Sequence, residues 1–90
     1  MRDQWFCYIV ECADGTLYTG ITTVPARRLA LHNRGAAARY TRGRGPVLLR
    51  YLEIHPDRGA ASRRERAIKA LPRTEKRRLA DDRAKPFPHV

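Results

Sequence analysis

The stretch WFCYIVECADGTLYTGI, residues 5–21, decides how this chain folds. Two runs of aromatic and β-branched residues, which are typical of strands, flank the tripeptide Ala13–Gly15. An Asp-Gly pair between two such runs indicates a β-hairpin. The loop length sets the register: a two-residue loop puts Tyr8 and Tyr18 on opposite faces of the sheet, and a three-residue loop puts them on the same face.

The segment from Pro25 to Asn33 has the start and stop signals of a helix. Proline stands in its first turn, Thr22 or Thr23 is a candidate N-cap, and Gly35 follows as a stop. Helical spacing places four residues on one side of this helix, and they are Ala26, Leu29, Ala30 and Asn33.

The rest of the chain supplies one strand and two helices. Residues 35–46 are predicted as a loop, 47–54 as a third strand, 60–71 as a helix stopped by Pro72, and 73–82 as a short third helix. This order predicts an α+β fold, with a small three-stranded antiparallel sheet flanked by about three helices. We expect one domain over residues 1–82 and a flexible C-terminal tail over residues 83–90.

The charge of the chain points to a polyanionic partner. Lys and Arg number 19 against 9 acidic residues, a formal net charge of +10. Such an excess favours nucleic acid. Sixteen of the basic residues are Arg, which binds phosphate oxygens bidentately. Codon bias in a GC-rich genome explains Arg in place of Lys, but it does not explain the net charge.

Several classes of protein are disfavoured by the sequence. No apolar run approaches the ~20 residues of a membrane span, and the opening MRDQWF lacks the apolar segment of a signal peptide. Cys7 and Cys12 lie five apart, so on one strand they point to opposite faces and cannot form a disulfide. We therefore expect a cytoplasmic protein with free thiols, no membrane partner and no organic cofactor; association with a bacterial nucleoid is compatible with this.

Five residues have side chains suited to chemistry on a phosphate, and the first three of them are evenly spaced. Tyr8 and Tyr18 lie ten apart, and Arg28 lies ten after Tyr18. His32 follows Arg28 by four, which places both on one helix face. Glu65 borders the apolar stripe of the second predicted helix, where a carboxylate is unusual. Taken singly, each has an ordinary alternative as a sheet aromatic, a solvated charge or half of a helix ion pair.

Together these residues resemble the GIY-YIG nuclease family, in particular its small stand-alone bacterial members, over nearly all of residues 4–80. The first motif is FCYIV around Tyr8, and the second is YTG, residues 18–20. ARRLALHN is similar to the catalytic helix of the family, and SRRERAIKAL to the helix that supplies its glutamate. The chain departs from the motifs at Phe6 and Thr19.

The resemblance implies metal-dependent hydrolysis of phosphodiester bonds at a single-metal site. Tyr18 would activate or orient the attacking water with help from His32, and Arg28 would stabilise charge on the phosphate. Glu65 would hold one Mg²⁺ or Mn²⁺. Tyr8 would hydrogen-bond the water or the scissile phosphate.

Two tyrosines that serve one site must share a sheet face. We therefore predict the three-residue loop, which pairs Cys12 with Thr16 and requires a left-handed Gly15. Gly15 and Gly20 are thus assigned structural roles in the motifs.

The predicted loop over residues 35–46 is basic. Its candidate nucleic-acid contacts, together with one on the preceding helix, are Arg39, Tyr40, Arg42, Arg44 and Arg27. The arginines would clamp phosphates, and Tyr40 would stack on a base. A flexible charged loop without such a role is the open alternative.

Two functions stay open on the sequence. The first is an endonuclease that nicks nucleic acid, DNA in preference to RNA, at branched, damaged or single-stranded sites. The second is a non-catalytic nucleic-acid-binding module that keeps the nuclease fold. A protein partner that targets the chain is compatible with both, and the intact set of five residues favours the enzyme.

Overall fold

The computed structural model describes residues 4–82, which form a three-stranded sheet and three helices. The elements are β1 (Trp5–Glu11), β2 (Leu17–Thr22), α1 (Pro25–Asn33), β3 (Leu48–His55), α2 (Arg58–Lys69) and α3 (Arg73–Ala80). The sheet is antiparallel, with the order β2-β1-β3. The predicted α+β class is confirmed, and the tail predicted for residues 83–90 lies outside the described residues. Within residues 4–82, no helix combines the length and the apolar character that a membrane span requires.

The β1–β2 hairpin has the predicted three-residue loop. The backbone N–H of Cys12 donates to the carbonyl of Thr16 at 2.8 Å, and that of Gly15 donates to the carbonyl of Cys12 at 2.9 Å. Gly15 has φ +84°, the left-handed conformation that glycine adopts most easily. The strand register pairs Tyr8 with Gly20 and Val10 with Tyr18, so both tyrosines lie on one face of the sheet.

The two faces of the sheet carry separate apolar clusters. On the site face, which bears Tyr8, the buried residues are Phe6, Tyr8, Val10, Cys12, Val47 and Leu52, and Leu29 of α1 packs against them. On the opposite face, the buried residues are Cys7, Ile9, Tyr51, Ile68 and Ala80, so α2 and α3 cover it. The two cysteines are buried, free and on opposite faces, as predicted.

The helix ends differ in detail from the prediction. The N-cap of α1 is Val24, and no side chain caps the helix, because the Oγ1 of Thr22 accepts a hydrogen bond from the Val24 N–H at 3.2 Å within the turn. The prediction of a Thr22 or Thr23 cap was therefore wrong. The helix α2 begins at Arg58 because Asp57 caps it, accepting from the Ala60 N–H at 2.8 Å.

Of the four residues that helical spacing places on one side of α1, Leu29 packs against the sheet and the other three do not. Ala26, Ala30 and Asn33 are exposed, whereas His32 is buried and Arg28 is half-buried. Polar side chains are buried only where they find partners, and His32 finds two inside the fold. The side of α1 that faces the sheet thus presents Arg28 and His32, two of the candidate site residues.

Gly20 is required by the ring that lies over it. A Cβ at this position would stand 2.5 Å from the hydroxyl oxygen of Tyr8 and 2.7 Å from its Cζ. The ring of Tyr8 therefore lies across the bare backbone of its partner strand, and any side chain at Gly20 would displace the phenol.

We predict that Gly20→Ala destabilises the fold by ~1–3 kcal/mol, the usual cost of overpacking. Chemical denaturation followed by circular dichroism measures the free energy of unfolding. Gly59→Ala in α2 is the matched control, because its Cβ would meet only ordinary contacts at 3.4 Å and alanine favours a helix. Equal stability of Gly20→Ala and the wild type would contradict the assigned role of Gly20.

Candidate active site

A chain of three buried hydrogen-bonding groups lies under the site face. The Tyr8 hydroxyl is 2.8 Å from Nε2 of His32, and Nδ1 of His32 is 2.7 Å from Oγ1 of Thr41. His32 is only 1% exposed and Thr41 is fully buried. Both imidazole nitrogens are therefore occupied by the protein itself.

The directions of these hydrogen bonds follow from Thr41. Its hydroxyl has a single proton, which it donates to the carbonyl of Ala38 at 3.2 Å. Oγ1 must then accept from His32, so Nδ1 carries the imidazole proton and Nε2 is an acceptor. Consequently the hydroxyl of Tyr8 donates its proton to Nε2.

Burial keeps both members of the Tyr8–His32 pair neutral. It raises the pKa of Tyr8 to about 12, with an added contribution from the negative charge of Glu65, while Arg28 opposes the shift. Burial is also the main cause that lowers the pKa of His32, and the positive charge of Arg28 lowers it further. A phenol and an imidazole thus meet at neutral pH with the proton on the phenol.

Arg28 brings a partly unsatisfied guanidinium to the same place. One Nη donates to the carbonyl of Ala37 at 3.3 Å. Its Nε is buried and has no hydrogen-bond partner among the described residues. A buried donor without an acceptor costs about 1–3 kcal/mol, so the guanidinium of Arg28 is not fully satisfied by the described residues.

Tyr18 is surrounded by residues from three other elements. Its ring stacks on Tyr40 with 5.9 Å between ring centres and meets the edge of His32 at 5.4 Å. The ammonium of Lys69 lies 5.6 Å from the centre of the same ring. Unlike Tyr8, Tyr18 is only partly buried, and its contact with His32 is not a hydrogen bond.

The basic loop is joined to the hairpin. Arg44 forms an ion pair with Asp14 at 2.5 Å, and its guanidinium lies 4.5 Å from the ring centre of Tyr40. The backbone N–H of Ala13 donates to the carbonyl of Arg44 at 2.7 Å. These contacts, with the buried Thr41, make the loop a wall of the site.

The remaining predicted contact residues lie further out. Arg27 and Arg39 are exposed, and Arg42 lines an open groove beside His32 and Thr41. Arg34, which the sequence analysis did not select, lines the same groove. The structure therefore places Tyr40 and Arg44 against the site and leaves the other arginines at its margin.

Glu65 lies on α2, beside the site through its partner Lys69, which contacts Tyr18. Its side chain is 22% exposed, and its Oε2 lies 3.2 Å from Nζ of Lys69. Its charge adds to the burial that raises the pKa of both Tyr8 and Cys7. Among residues 4–82, no group of three or more His, Cys, Asp and Glu side chains could hold a metal ion. One half-buried carboxylate still suits Mg²⁺, which keeps several waters and shares substrate phosphates.

Two residues of the site escaped the sequence analysis. Thr41 lies nine residues after His32 across a loop, and no spacing rule connects such positions. Lys69 was visible as the i+4 neighbour of Glu65, but that spacing indicates only a helix ion pair. The additional contact of Lys69 with Tyr18 depends on how α2 packs against β2.

The fold is a small α+β domain with a cluster of polar side chains on one face of its sheet. The family model of the GIY-YIG catalytic domain matches residues 4–78. The chain belongs to the GIY-YIG family, as the resemblance of its motifs indicated.

Proteins named UPF0213 are similar to this chain over most of its length. It is 59% identical to the UPF0213 protein DP2720 of Desulfotalea psychrophila, over 96% of this chain and 79% of that protein. It is 49% identical to the UPF0213 protein HQ_3675A of Haloquadratum walsbyi, over 91% of this chain and 92% of that protein.

Two solution structures share the fold. The UPF0213 protein BH0048 of Bacillus halodurans aligns with a TM-score of 0.57 and 41% identity, over 92% of this chain and 88% of that one. Protein EF2693 of E. faecalis aligns with a TM-score of 0.59 and 35% identity, over 100% of this chain and 99% of that one.

We predict that His32 is neutral with its proton on Nδ1 at neutral pH and that its pKa lies below the ordinary 6.5. Nitrogen-15 NMR of the imidazole measures both, with the signal assigned through its loss in His32→Gln. Because the folded-state pKa is lowered, the stability that this residue contributes is complete above pH 6.5 and is lost as the pH falls through the folded-state value. A proton on Nε2, or a pKa above 6.5, would refute the assigned hydrogen-bond chain.

Proposed function

We propose that this protein is a metal-dependent endonuclease that hydrolyses phosphodiester bonds in nucleic acid, with DNA as the preferred substrate. The observation that carries the proposal is the convergence of different chemical groups on Tyr8 and Tyr18. A neutral imidazole accepts the proton of Tyr8, a guanidinium lies beside the same hydroxyl, and the Lys69–Glu65 pair of α2 lies against Tyr18. A surface that only binds nucleic acid has no use for the buried acceptor or the carboxylate.

Tyr8 is suited to orient the attacking water. Its proton is directed to Nε2 of His32 and its oxygen accepts from Arg28, so one lone pair remains for a hydrogen bond from water. When the water oxygen bonds to phosphorus, a proton of that water passes to Tyr8, and the proton of Tyr8 passes to His32. The bond from phosphorus to the leaving sugar oxygen then breaks, and that oxygen takes a proton from solvent.

This assignment differs from the sequence-based hypothesis, which gave His32 to Tyr18. Its support is the 2.8 Å hydrogen bond from Tyr8 to His32, whereas Tyr18 meets His32 only through ring edges. We assign to Tyr18 the orientation of the water or the phosphate from the opposite side. The lowered pKa of His32 keeps the imidazole ready to accept a proton at neutral pH.

Arg28 is suited to stabilise the charge that grows on the phosphate. Its guanidinium is half-buried and carries N–H groups besides the one that donates to Ala37, and a non-bridging phosphate oxygen would accept from them. Donors fixed in place before the reaction are the most effective, because they need no rearrangement as charge develops. Lysine at this position keeps the charge but loses the planar fork.

Glu65 is the residue that would hold a divalent ion, Mg²⁺ or Mn²⁺. Such an ion, when bound, supplies positive charge to the phosphate and to the leaving oxygen. Substrate contacts beyond the scissile phosphate would come from Tyr40 and Arg44 against the site and from Arg27, Arg39 and Arg42 at its margin. Their unequal burial suggests that Arg39 and Arg42 track the backbone while Arg44 supports Tyr40.

We predict that Glu65→Gln abolishes metal-dependent plasmid nicking, because the substitution is nearly isosteric and removes the charge that holds the ion. Tyr8→Phe and Tyr18→Phe should each lower the rate by roughly 10²-fold or more, the scale of lost acid–base assistance. Arg28→Lys should cost about 10²–10³-fold, as loss of a fixed donor to the developing charge does. The assay measures nicking with Mg²⁺, Mn²⁺ and EDTA.

Glu75→Gln is the matched control, because Glu75 is a carboxylate of α3 that pairs with Arg78 away from the site. It should nick like the wild type. Equal nicking by Glu65→Gln would place the activity elsewhere or in a contaminant. A wild type that binds every DNA tested and cuts none would establish the non-catalytic binding module instead.

A further inference from the structure

Lys69 is the last residue of α2, and its ammonium lies between two groups of the candidate active site. Nζ is 3.2 Å from Oε2 of Glu65 and 5.6 Å from the centre of the Tyr18 ring. We propose that Lys69 is a phosphate-binding residue of this site. It pairs with Glu65 in the metal-free protein and contacts the substrate phosphate once a divalent ion occupies the carboxylate. The inference rests on the proposed function.

An i,i+4 pair on a helix forms without any function, so the pair alone decides nothing. Two further observations separate this pair from an ordinary one. Glu65 is only 22% exposed, so its carboxylate does not belong to the solvated surface. The ammonium also lies over a ring from β2, a contact that a helix pair does not require.

The groups around Lys69 determine where its ammonium goes when a divalent ion occupies the carboxylate of Glu65. Glu65 is its acidic partner, and no second one is present among the described residues. A divalent ion held by Glu65 would repel the ammonium that lies 3.2 Å from Oε2, because like charges close together interact strongly in a partly buried site. The face of Tyr18 still attracts the ammonium, so Lys69 stays in the site, and a phosphate becomes its nearest anion.

Two effects of opposite sign follow for the same side chain. Because Lys69 competes with the ion for Glu65, it weakens metal binding. Because it is released towards the phosphate, it strengthens substrate binding, but only when metal is present. A lysine with a purely structural role, or one that adds only general positive charge, does not produce this combination.

We predict that Lys69→Met, which keeps an unbranched stem and removes the charge, binds Mn²⁺ several-fold more tightly than the wild type. An EPR titration of free Mn²⁺ measures this without any substrate. For a phosphorothioate oligonucleotide, which resists hydrolysis, the variant should lose roughly tenfold in affinity with Mn²⁺, the scale of one charged hydrogen bond. In EDTA its affinity should stay at the wild-type value, because there the ammonium is committed to Glu65.

Lys76→Met is the matched control, since Lys76 lies on α3 and its side chain has no partner among residues 4–82. Its effect on oligonucleotide affinity should be the same with Mn²⁺ and in EDTA. In a Glu65→Gln background, where Lys69 is free, Lys69→Met should weaken oligonucleotide binding in EDTA as well. Lys69→Arg should retain most of the metal-dependent affinity.

Unchanged or weaker Mn²⁺ binding by Lys69→Met would overturn the inference. Equal loss of oligonucleotide affinity with Mn²⁺ and with EDTA would also overturn it, because it would reveal only a surface charge. These readouts do not depend on cleavage. Lys69→Met could bind Mn²⁺ more tightly and the oligonucleotide more weakly while the wild type cuts no DNA. That result would refute the proposed function and support the role of Lys69.

Discussion

The site depends on one close approach, that of the Tyr8 ring to the backbone of Gly20. A side-chain carbon at Gly20 would overlap the hydroxyl of Tyr8, so the phenol lies where only glycine leaves room. From there it reaches Nε2 of His32 on α1. The hairpin register, which pairs Tyr8 with Gly20, therefore positions the first catalytic candidate relative to all the others. A one-residue slip of that register would send the two tyrosines to opposite faces.

The loop after α1 is as much a part of the site as the sheet. Thr41 fixes the proton of His32 on Nδ1, which leaves Nε2 to accept from Tyr8. Tyr40 and Arg44 stack beside Tyr18, and Asp14 in the hairpin turn fixes Arg44. The hairpin, the helix and the loop thus support one another. Most polar groups of the site are arginines and one buried imidazole, and carboxylates are few.

Much of this was predictable because it depends on local rules. The Asp-Gly turn, the shared face of the tyrosines and the left-handed Gly15 follow from strand geometry, and the structure confirms them. The inner side of α1 was not predictable, since helical spacing does not reveal that a histidine will find two buried partners. Thr41 and Lys69 were missed for a related reason. Their contacts join elements that are distant in sequence, and only the packing of α2 and the loop brings them together.

We infer that Thr41 acts through His32 to keep the Tyr8 proton directed to Nε2, which leaves the Tyr8 oxygen able to orient a water that attacks a phosphodiester. Single-turnover cleavage by Thr41→Val and Thr41→Ser tests it most directly, because valine keeps the shape of threonine and serine keeps its hydroxyl. The account predicts that Thr41→Val loses roughly 10²-fold in rate, with DNA binding in EDTA unchanged, and that Thr41→Ser retains most of the rate. Cleavage by Thr41→Val at the rate of the wild type would contradict it.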